Sequence, residues 1–170
     1  MKGMVEVYTG DGKGKTTAAI GLAIRAAGAG LRIFIGQFVK SMKYSEINIL
    51  EKIDNIEIKQ YGLNCFIEKE PEKEDVEAAK EGLNEISDIL KSGEYDLVIL
   101  DEANIAVYFD LISVEELIEV IKKRNEEVEV VVTGRKAKEE LIEIADLVTD
   151  MKEIKHYYQK GITARDGIER

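Results

Sequence analysis

Blocks of apolar and polar positions alternate along the chain in a way that favours alternating strands and helices. Near-continuous apolar runs such as Leu31–Phe38 are typical of strands that are covered on both faces of a parallel sheet. Six runs predict strands: Met4–Thr9, Leu31–Phe38, Ile56–Gln60, Tyr95–Leu100, Val128–Thr133 and Leu147–Thr149. Five segments have helical spacing: Thr16–Ala29, Ser45–Ile53, Glu72–Leu90, Ser113–Arg124 and Ala137–Ala145. This order predicts an α/β, doubly wound fold with a mostly parallel sheet and right-handed crossovers.

Local signals mark several boundaries of these elements. Ser113-Val-Glu-Glu116 has the capping-box pattern of a helix start, and Gly93 is placed to end the long amphipathic helix before it. Tyr61–Pro71 reads as an irregular loop, and loops of that length in compact proteins are often functional. We expect one domain spanning residues 1–170, because the chain is short for two.

Composition narrows the classes of function. The chain has 34 acidic and 24 basic residues and a formal net charge of −10, which disfavours binding to nucleic acid. One cysteine and one histidine leave no internal disulfide and no Cys/His metal cluster. There is no signal-peptide pattern and no apolar run near the roughly 18 residues of a membrane helix, so we expect a cytoplasmic protein without a membrane partner.

The segment after the first predicted strand has the character of a phosphate-binding P-loop. It reads Gly10, Asp11, Gly12, Lys13, Gly14, Lys15, Thr16, Thr17 and leads into a predicted helix. Glycines let backbone amides point at phosphate oxygens, Lys15 supplies a point charge, and Thr16 would ligate Mg²⁺. The loop is one residue short of the usual pattern, since Thr9 stands where a glycine is usual. The alternative is a glycine-rich turn with incidental lysines.

Two further groups follow predicted strands at the same edge of the sheet. Asp101 and Glu102 come directly after an apolar strand, where one or both carboxylates would help to hold Mg²⁺ beside the P-loop. Arg135 follows another strand and would reach phosphate or substrate there. The alternatives are an acidic helix start for the first pair and a solvated arginine for the second.

These motifs together resemble the P-loop type of ATP:corrinoid adenosyltransferase. The resemblance rests on the short P-loop and on five further stretches, in this order: Ile35-Gly-Gln-Phe-Val-Lys40, Leu100-Asp-Glu-Ala-Asn104, Thr133-Gly-Arg135, Ala145-Asp-Leu-Val-Thr-Asp-Met151 and Gly161-Ile-Thr-Ala-Arg-Asp-Gly-Ile-Glu169. It implies a RecA-like P-loop fold, a homodimer, ATP and a corrinoid as substrates, and a flavoprotein that reduces the cobalt. It also implies that the nucleotide lies in the loop in reversed orientation.

The implied chemistry suits the residues that are present. Reduced cobalt is itself the nucleophile at the 5′-carbon of ATP, so the protein needs neither a nucleophile nor a general base. It must stabilise charge on the departing triphosphate, which the resemblance assigns to Mg²⁺, the loop amides, Lys13, Lys15 and Arg135.

The corrinoid side of the site departs from the family pattern. Family members carry Gly-x-Gly-Phe where this chain reads Gly62-Leu-Asn-Cys65-Phe66. Phe66 is our candidate corrin contact, with a core phenylalanine as the alternative. Cys65 reads as a small buried hydrophobe, with a cobalt ligand as the alternative. We assign His156 a surface or packing role, with contact to the substrate as the alternative. Many bacterial members of that family carry a helical segment before the first strand that covers the corrinoid, whereas here only Met1–Gly3 precede the strand. We therefore expect either the Tyr61–Pro71 loop or the Tyr157–Arg170 tail to cover the corrinoid, and the alternative is a lower affinity for it.

Two other functions stay open from the sequence alone. A small kinase or ATPase would use the same loop for chemistry at the terminal phosphate. An ATP-sensing regulator would bind the nucleotide without turning it over.

Overall fold

A computed structural model describes residues 2–40, 42–62 and 71–169. The strands are β1 (Val5–Thr9), β2 (Ile33–Phe38), β3 (Ile56–Tyr61), β4 (Leu97–Asp101), β5 (Glu129–Thr133) and β6 (Leu147–Asp150). They form one six-stranded sheet in the order β3-β2-β4-β5-β1-β6, and every neighbouring pair is parallel. The predicted doubly wound α/β fold is therefore confirmed.

Helices cover both faces of this sheet. They are α1 (Lys15–Gly28), α2 (Ile47–Leu50), α3 (Lys73–Ser92), α4 (Ala103–Tyr108), α5 (Val114–Lys122) and α6 (Glu139–Ile144), and a 3₁₀ helix spans Tyr157–Lys160. Buried residues of α1 and α2 pack on one face, while α3 to α6 pack on the other. Successive side chains of β2 point to opposite faces of the sheet. Ile33 and Ile35 belong to the cluster under α1 and α2, and Phe34 belongs to the cluster under α3 to α6. Within the described ranges, no helix has the length and apolar character needed to cross a membrane.

The predicted helix boundaries hold where a local signal marks them. Ser113 and Glu116 form the expected reciprocal capping box, with Ser113 N–H donating to Glu116 at 2.7 Å and Glu116 N–H donating to Ser113 at 3.1 Å. Gly93 ends α3 as predicted. The helix expected over Ser45–Ile53 is only the four-residue α2, because the chain already turns at residues 51–54 to enter β3.

The strand order brings the carboxyl ends of β1, β2, β4 and β5 side by side. Gln37 on β2 pairs in register with Asp101 on β4, and Tyr8 on β1 pairs with Thr133 on β5. Parallel strands end at the same edge of a sheet, so the residues that follow these four strands meet around one cleft.

Candidate nucleotide-binding site

The P-loop joins β1 to α1 and is braced by the segment that follows β6. Gly12 N–H donates to the Met151 carbonyl at 2.6 Å. A methyl group added at Gly12 would lie 2.5 Å from that carbonyl oxygen, so the main chains approach too closely for a side chain. The loop is thus shaped in part by main chain from the far end of the sequence.

Lys15 begins α1 and is buried beneath the loop, with 8% of its surface exposed. Its ammonium donates to the carbonyls of Gly10 and Gly12, both at 2.7 Å. Burial lowers the pKa of Lys15. A phosphate that recruits this ammonium must therefore compete with two carbonyls of the loop itself.

Lys13 points to the C-terminal tail, which we define as residues 157–169. Its ammonium donates to the Ile168 carbonyl and to Glu169 Oε1, both at 2.9 Å, and to the Tyr157 hydroxyl at 3.3 Å. Arg165 also donates to Glu169, and its guanidinium lies 5.0 Å from the centre of the Tyr157 ring. These hydrogen bonds lower the pKa of Glu169, with those from Arg165 and Tyr157 contributing most, so the tail meets the loop through an ionised carboxylate.

Asp101 is the hydrogen-bonding centre beneath the site, with 1% of its surface exposed. Its Oδ1 accepts from the hydroxyls of Thr16 at 2.8 Å and Thr133 at 2.7 Å. Its Oδ2 accepts from the Gln37 amide at 3.0 Å and from the Lys40 ammonium at 2.7 Å. Burial acts to raise the pKa of Asp101, but Lys40 and the hydroxyl donors outweigh it and lower the pKa. The carboxylate is thus ionised and surrounded by four donors.

Glu102 differs from Asp101 although the two are adjacent. It faces the cleft, and burial together with the neighbouring Asp101 charge raises the pKa of Glu102. Its backbone has a positive φ of 59° at the start of α4, and its N–H donates to the Thr133 hydroxyl at 3.0 Å. This turn directs consecutive carboxylates to different places, one below the loop and one to the cleft.

Arg135 follows β5, the strand next to β4 in the sheet. It is exposed, it lines the same cleft, and its charge acts on both Lys15 and Glu102. The turn before it is held by Asn104, whose Nδ2 donates to the Gly134 carbonyl at 3.0 Å. Asn104 is buried, so the turn that leads to Arg135 is held by a side chain that is itself packed in the interior.

The cleft has a volume of about 980 Å³ and is large enough for a nucleotide. It brings together most of the site residues predicted from the sequence: Asp11, Gly12, Lys13, Gly14, Lys15, Thr16, Thr17, Glu102 and Arg135. Gly10 and Asp101 support these residues through Lys15 and Thr16. Cys65 and Phe66 lie outside the described residues.

Some residues of the site could not be assigned a role from the sequence. Gln37, Lys40 and Thr133 all contact Asp101 or the peptide after it, and Glu169 contacts Lys13. Gln37 had a usable signal, because a glutamine interrupts an otherwise apolar strand. Glu169 had none, since its contact joins positions 156 residues apart.

Comparisons with known proteins point to one family. The sequence model of the family described as "ATP:corrinoid adenosyltransferase BtuR/CobO/CobP" matches residues 1–170. A corrinoid adenosyltransferase of a Sinorhizobium species is 37% identical over 99% of this chain and 80% of its own length. The corrinoid adenosyltransferase of Escherichia coli K12 is 32% identical over 99% of this chain and 86% of its own length. That of Pseudomonas aeruginosa is 31% identical over 99% of this chain and 84% of its own length.

The geometry of the cleft and these matches agree with the resemblance drawn from the motifs. The family match covers the phosphate loop, the Asp101-Glu102 turn and the C-terminal tail alike. The chain therefore belongs to the ATP:corrinoid adenosyltransferase family.

Proposed function

We propose that this chain transfers the 5′-deoxyadenosyl group of ATP to the reduced cobalt of a corrinoid and releases triphosphate. One observation carries the proposal: a chain of this family brings a P-loop, a cleft-facing carboxylate and an arginine to the edge of one cleft. Cobalt forms a bond to the 5′-carbon while the bond from that carbon to the triphosphate oxygen breaks. The triphosphate leaves with that electron pair, so the chemistry requires no proton transfer from the protein.

The residues of the loop would bind and stabilise the leaving group. The amino end of α1 favours an anion, and Lys15 begins that helix. Arg135, which lines the same cleft, adds a second positive charge. Preorganised cations and amides act most strongly on charge that develops in the transition state, which here accumulates on the triphosphate.

The donors at the site also suit Mg²⁺, which prefers oxygen ligands and is often held by one or two protein groups together with substrate phosphates. Thr16 Oγ1 donates its proton to Asp101, so its lone pairs are available to a cation. Asp101 already accepts four hydrogen bonds, whereas Glu102 faces the cleft. We therefore assign Mg²⁺ to Thr16 and Glu102, with Asp101 orienting Thr16. When bound, the ion would neutralise charge on the phosphates.

The C-terminal tail is our candidate for the segment that covers the bound corrinoid. Tyr158, Gln159 and Ile168 line the cleft, and Lys13 ties the tail to the loop. This supports the tail as the cover over the corrinoid, and Phe66 stays our candidate for contact with the ring. Hydrogen exchange with and without ATP plus corrinoid tests the cover, since closure should protect amides in residues 157–169. If no segment gains protection while substrate is bound, the enzyme works with an open site.

The remaining assignments follow the family resemblance. We propose that the protein is a cytoplasmic homodimer and that a flavoprotein reduces the cobalt of its corrinoid substrate. Light scattering should give twice the 19.1 kDa of one chain. A mass of one chain at assay concentration would remove the dimer from the proposal.

Product identity tests the proposed reaction. With ATP, Mg²⁺ and chemically reduced cobalamin under anaerobic conditions, we expect an adenosylated corrinoid and inorganic triphosphate in equal amounts. ADP and phosphate as main products would indicate phosphoryl transfer instead. ATP binding without turnover would indicate a nucleotide sensor.

A further inference from the structure

Lys40 is a partly buried cation at the edge of the cleft that the P-loop pattern does not include. It follows β2, its side chain is 13% exposed, and its ammonium lies 2.7 Å from Asp101 Oδ2. The same residue lines the cleft together with Lys13, Lys15 and Arg135. The question is whether Lys40 only neutralises Asp101 or also acts on the ligand of the cleft.

The backbone around Lys40 is shaped for a defined position. Val39 has a positive φ of 59°, a conformation that β-branched residues rarely adopt because it is strained. On the other side, a methyl group added at Gly62 would lie 2.5 Å from Lys40 N and 2.7 Å from Lys40 O. A strained residue before Lys40 and a glycine packed against it together fix where this side chain starts.

The ammonium is held between an acid and an aromatic ring. Asp101 lies on one side, and the centre of the Tyr44 ring lies 5.5 Å away on another. Burial acts to lower the pKa of Lys40, but the adjacent Asp101 outweighs burial and raises it. Lys40 is thus an ionised ammonium that pairs with Asp101 and lies close to the Tyr44 ring.

The charges around the cleft indicate that Lys40 does more than neutralise Asp101. Asp101 also accepts from three neutral donors, on Thr16, Thr133 and Gln37. Two carboxylates, Asp101 and Glu102, lie next to the loop that should attract a polyanion. A cation that offsets one of them and also faces the cleft would strengthen the binding of phosphate.

We propose that Lys40 is a further substrate-contacting residue, whose ammonium bridges Asp101 and an oxygen of the triphosphate. The inference rests on the proposed function for the identity of the ligand. It adds a fourth cation, from the segment after β2, to Lys13 and Lys15 of the P-loop and to Arg135 after β5.

Binding of inorganic triphosphate without divalent metal tests this contact separately from the transfer reaction. Calorimetric titration in EDTA at fixed ionic strength should show that Lys40→Met weakens triphosphate binding at least tenfold. Lys40→Arg should stay within about threefold of the unaltered chain, because a guanidinium can bridge two anions. The matched control is Lys43→Met, which removes an equal charge from an exposed lysine paired with Glu51 and should change binding less than twofold.

A double variant separates contact from neutralisation. If Lys40 served only to neutralise Asp101, adding Asp101→Asn to Lys40→Met would restore triphosphate binding. We expect binding to stay at least tenfold weakened relative to Asp101→Asn alone. The double variant also leaves no buried unpaired charge, so it keeps the test open if Lys40→Met fails to fold.

Three results would overturn the inference. These are unchanged binding in Lys40→Met, restored binding in the double variant, and no triphosphate binding by the unaltered chain. The first two leave the proposed reaction standing, because the product assay with ATP and reduced cobalamin reports on it independently. Failure of the product assay, with triphosphate binding that depends on Lys40, would reject the reaction but keep the contact.

Discussion

Replacing Thr133 by valine removes one hydroxyl from beneath the candidate site while keeping the shape of the side chain. Thr133 is fully buried, and its hydroxyl has two roles at once. It donates to Asp101 Oδ1 at 2.7 Å and accepts from Glu102 N–H at 3.0 Å. The substitution therefore takes a donor from a buried carboxylate and leaves a main-chain amide without its acceptor.

The size of the effect follows from these two losses. A hydrogen bond to a charged group contributes about 1.5–3 kcal/mol, and an amide left without a partner costs about 1–3 kcal/mol, with the partly buried Glu102 N–H toward the lower end. Relaxation and the added methyl group offset part of the sum, so we expect Thr133→Val to lower the free energy of unfolding by about 3 kcal/mol. At roughly 2–4 °C per kcal/mol for a chain of this size, the melting temperature should fall by about 6–12 °C.

Urea unfolding followed by circular dichroism measures this difference, provided that the slope of the transition is unchanged. Thr149→Val is the matched control, because Thr149 is exposed on β6 and its replacement should change stability by less than about 0.5 kcal/mol. If Thr133→Val lowers the free energy of unfolding by less than about 1 kcal/mol, the two hydrogen bonds of the Thr133 hydroxyl do not stabilise the fold as reasoned above.

Three other substitutions test the loop, its packing and a distant helix cap. Lys15→Ala should slow adenosyl transfer at saturating ATP more than about tenfold, equivalent to about 1.4 kcal/mol, and unchanged turnover in a folded variant would remove Lys15 from the mechanism. Gly12→Ala should cost at least about 2 kcal/mol of stability in urea unfolding, because the methyl group meets main chain at 2.5 Å, whereas Gly21→Ala, with open space around it in α1, should gain up to about 1 kcal/mol. Hydrogen bonds from the helix cap lower the pKa of Glu116, so its stabilising effect is present above its unfolded pKa of about 4.3 and is lost as the pH falls through the lower folded value. Glu116→Ala should thus be about 0.5–1 kcal/mol less stable than Glu115→Ala at pH 7, and a gap that does not narrow as the pH is lowered below about 4.3 would contradict this.

The elements with strong local signals could be predicted from the sequence alone. The strands β1, β2, β4 and β5 were predictable because each run is rich in apolar residues, as is typical of parallel strands covered on both faces. The capping box before α5 and the glycine after α3 gave boundaries for physical reasons that act within a few residues. By contrast, α4 has only six residues, too few for a helical period to stand out, and its start depends on the Asp101-Glu102 turn.

Most residues that line the cleft around the P-loop could be predicted to lie near each other, but their arrangement could not. That Asp101 and Glu102 would lie near the P-loop follows from their place after a strand. Their different surroundings do not, because Gln37 comes from a strand 64 positions away and Lys40 from 61 positions away. Contacts of this kind depend on which strands become neighbours, and no local pattern specifies that order.

The two edges of the sheet have a consequence for handling the protein. β3 carries the exposed charges of Glu57 and Lys59 on its edge, but all four residues of β6 are exposed and include Leu147 at 45% and Val148 at 40%. Edge strands can template pairing between chains, and charge is a common protection against it. The net charge of −10 at pH 7 provides that protection here. Buffers near the isoelectric point of about 4.8, or high salt, would weaken it, so aggregation would begin at β6 under those conditions.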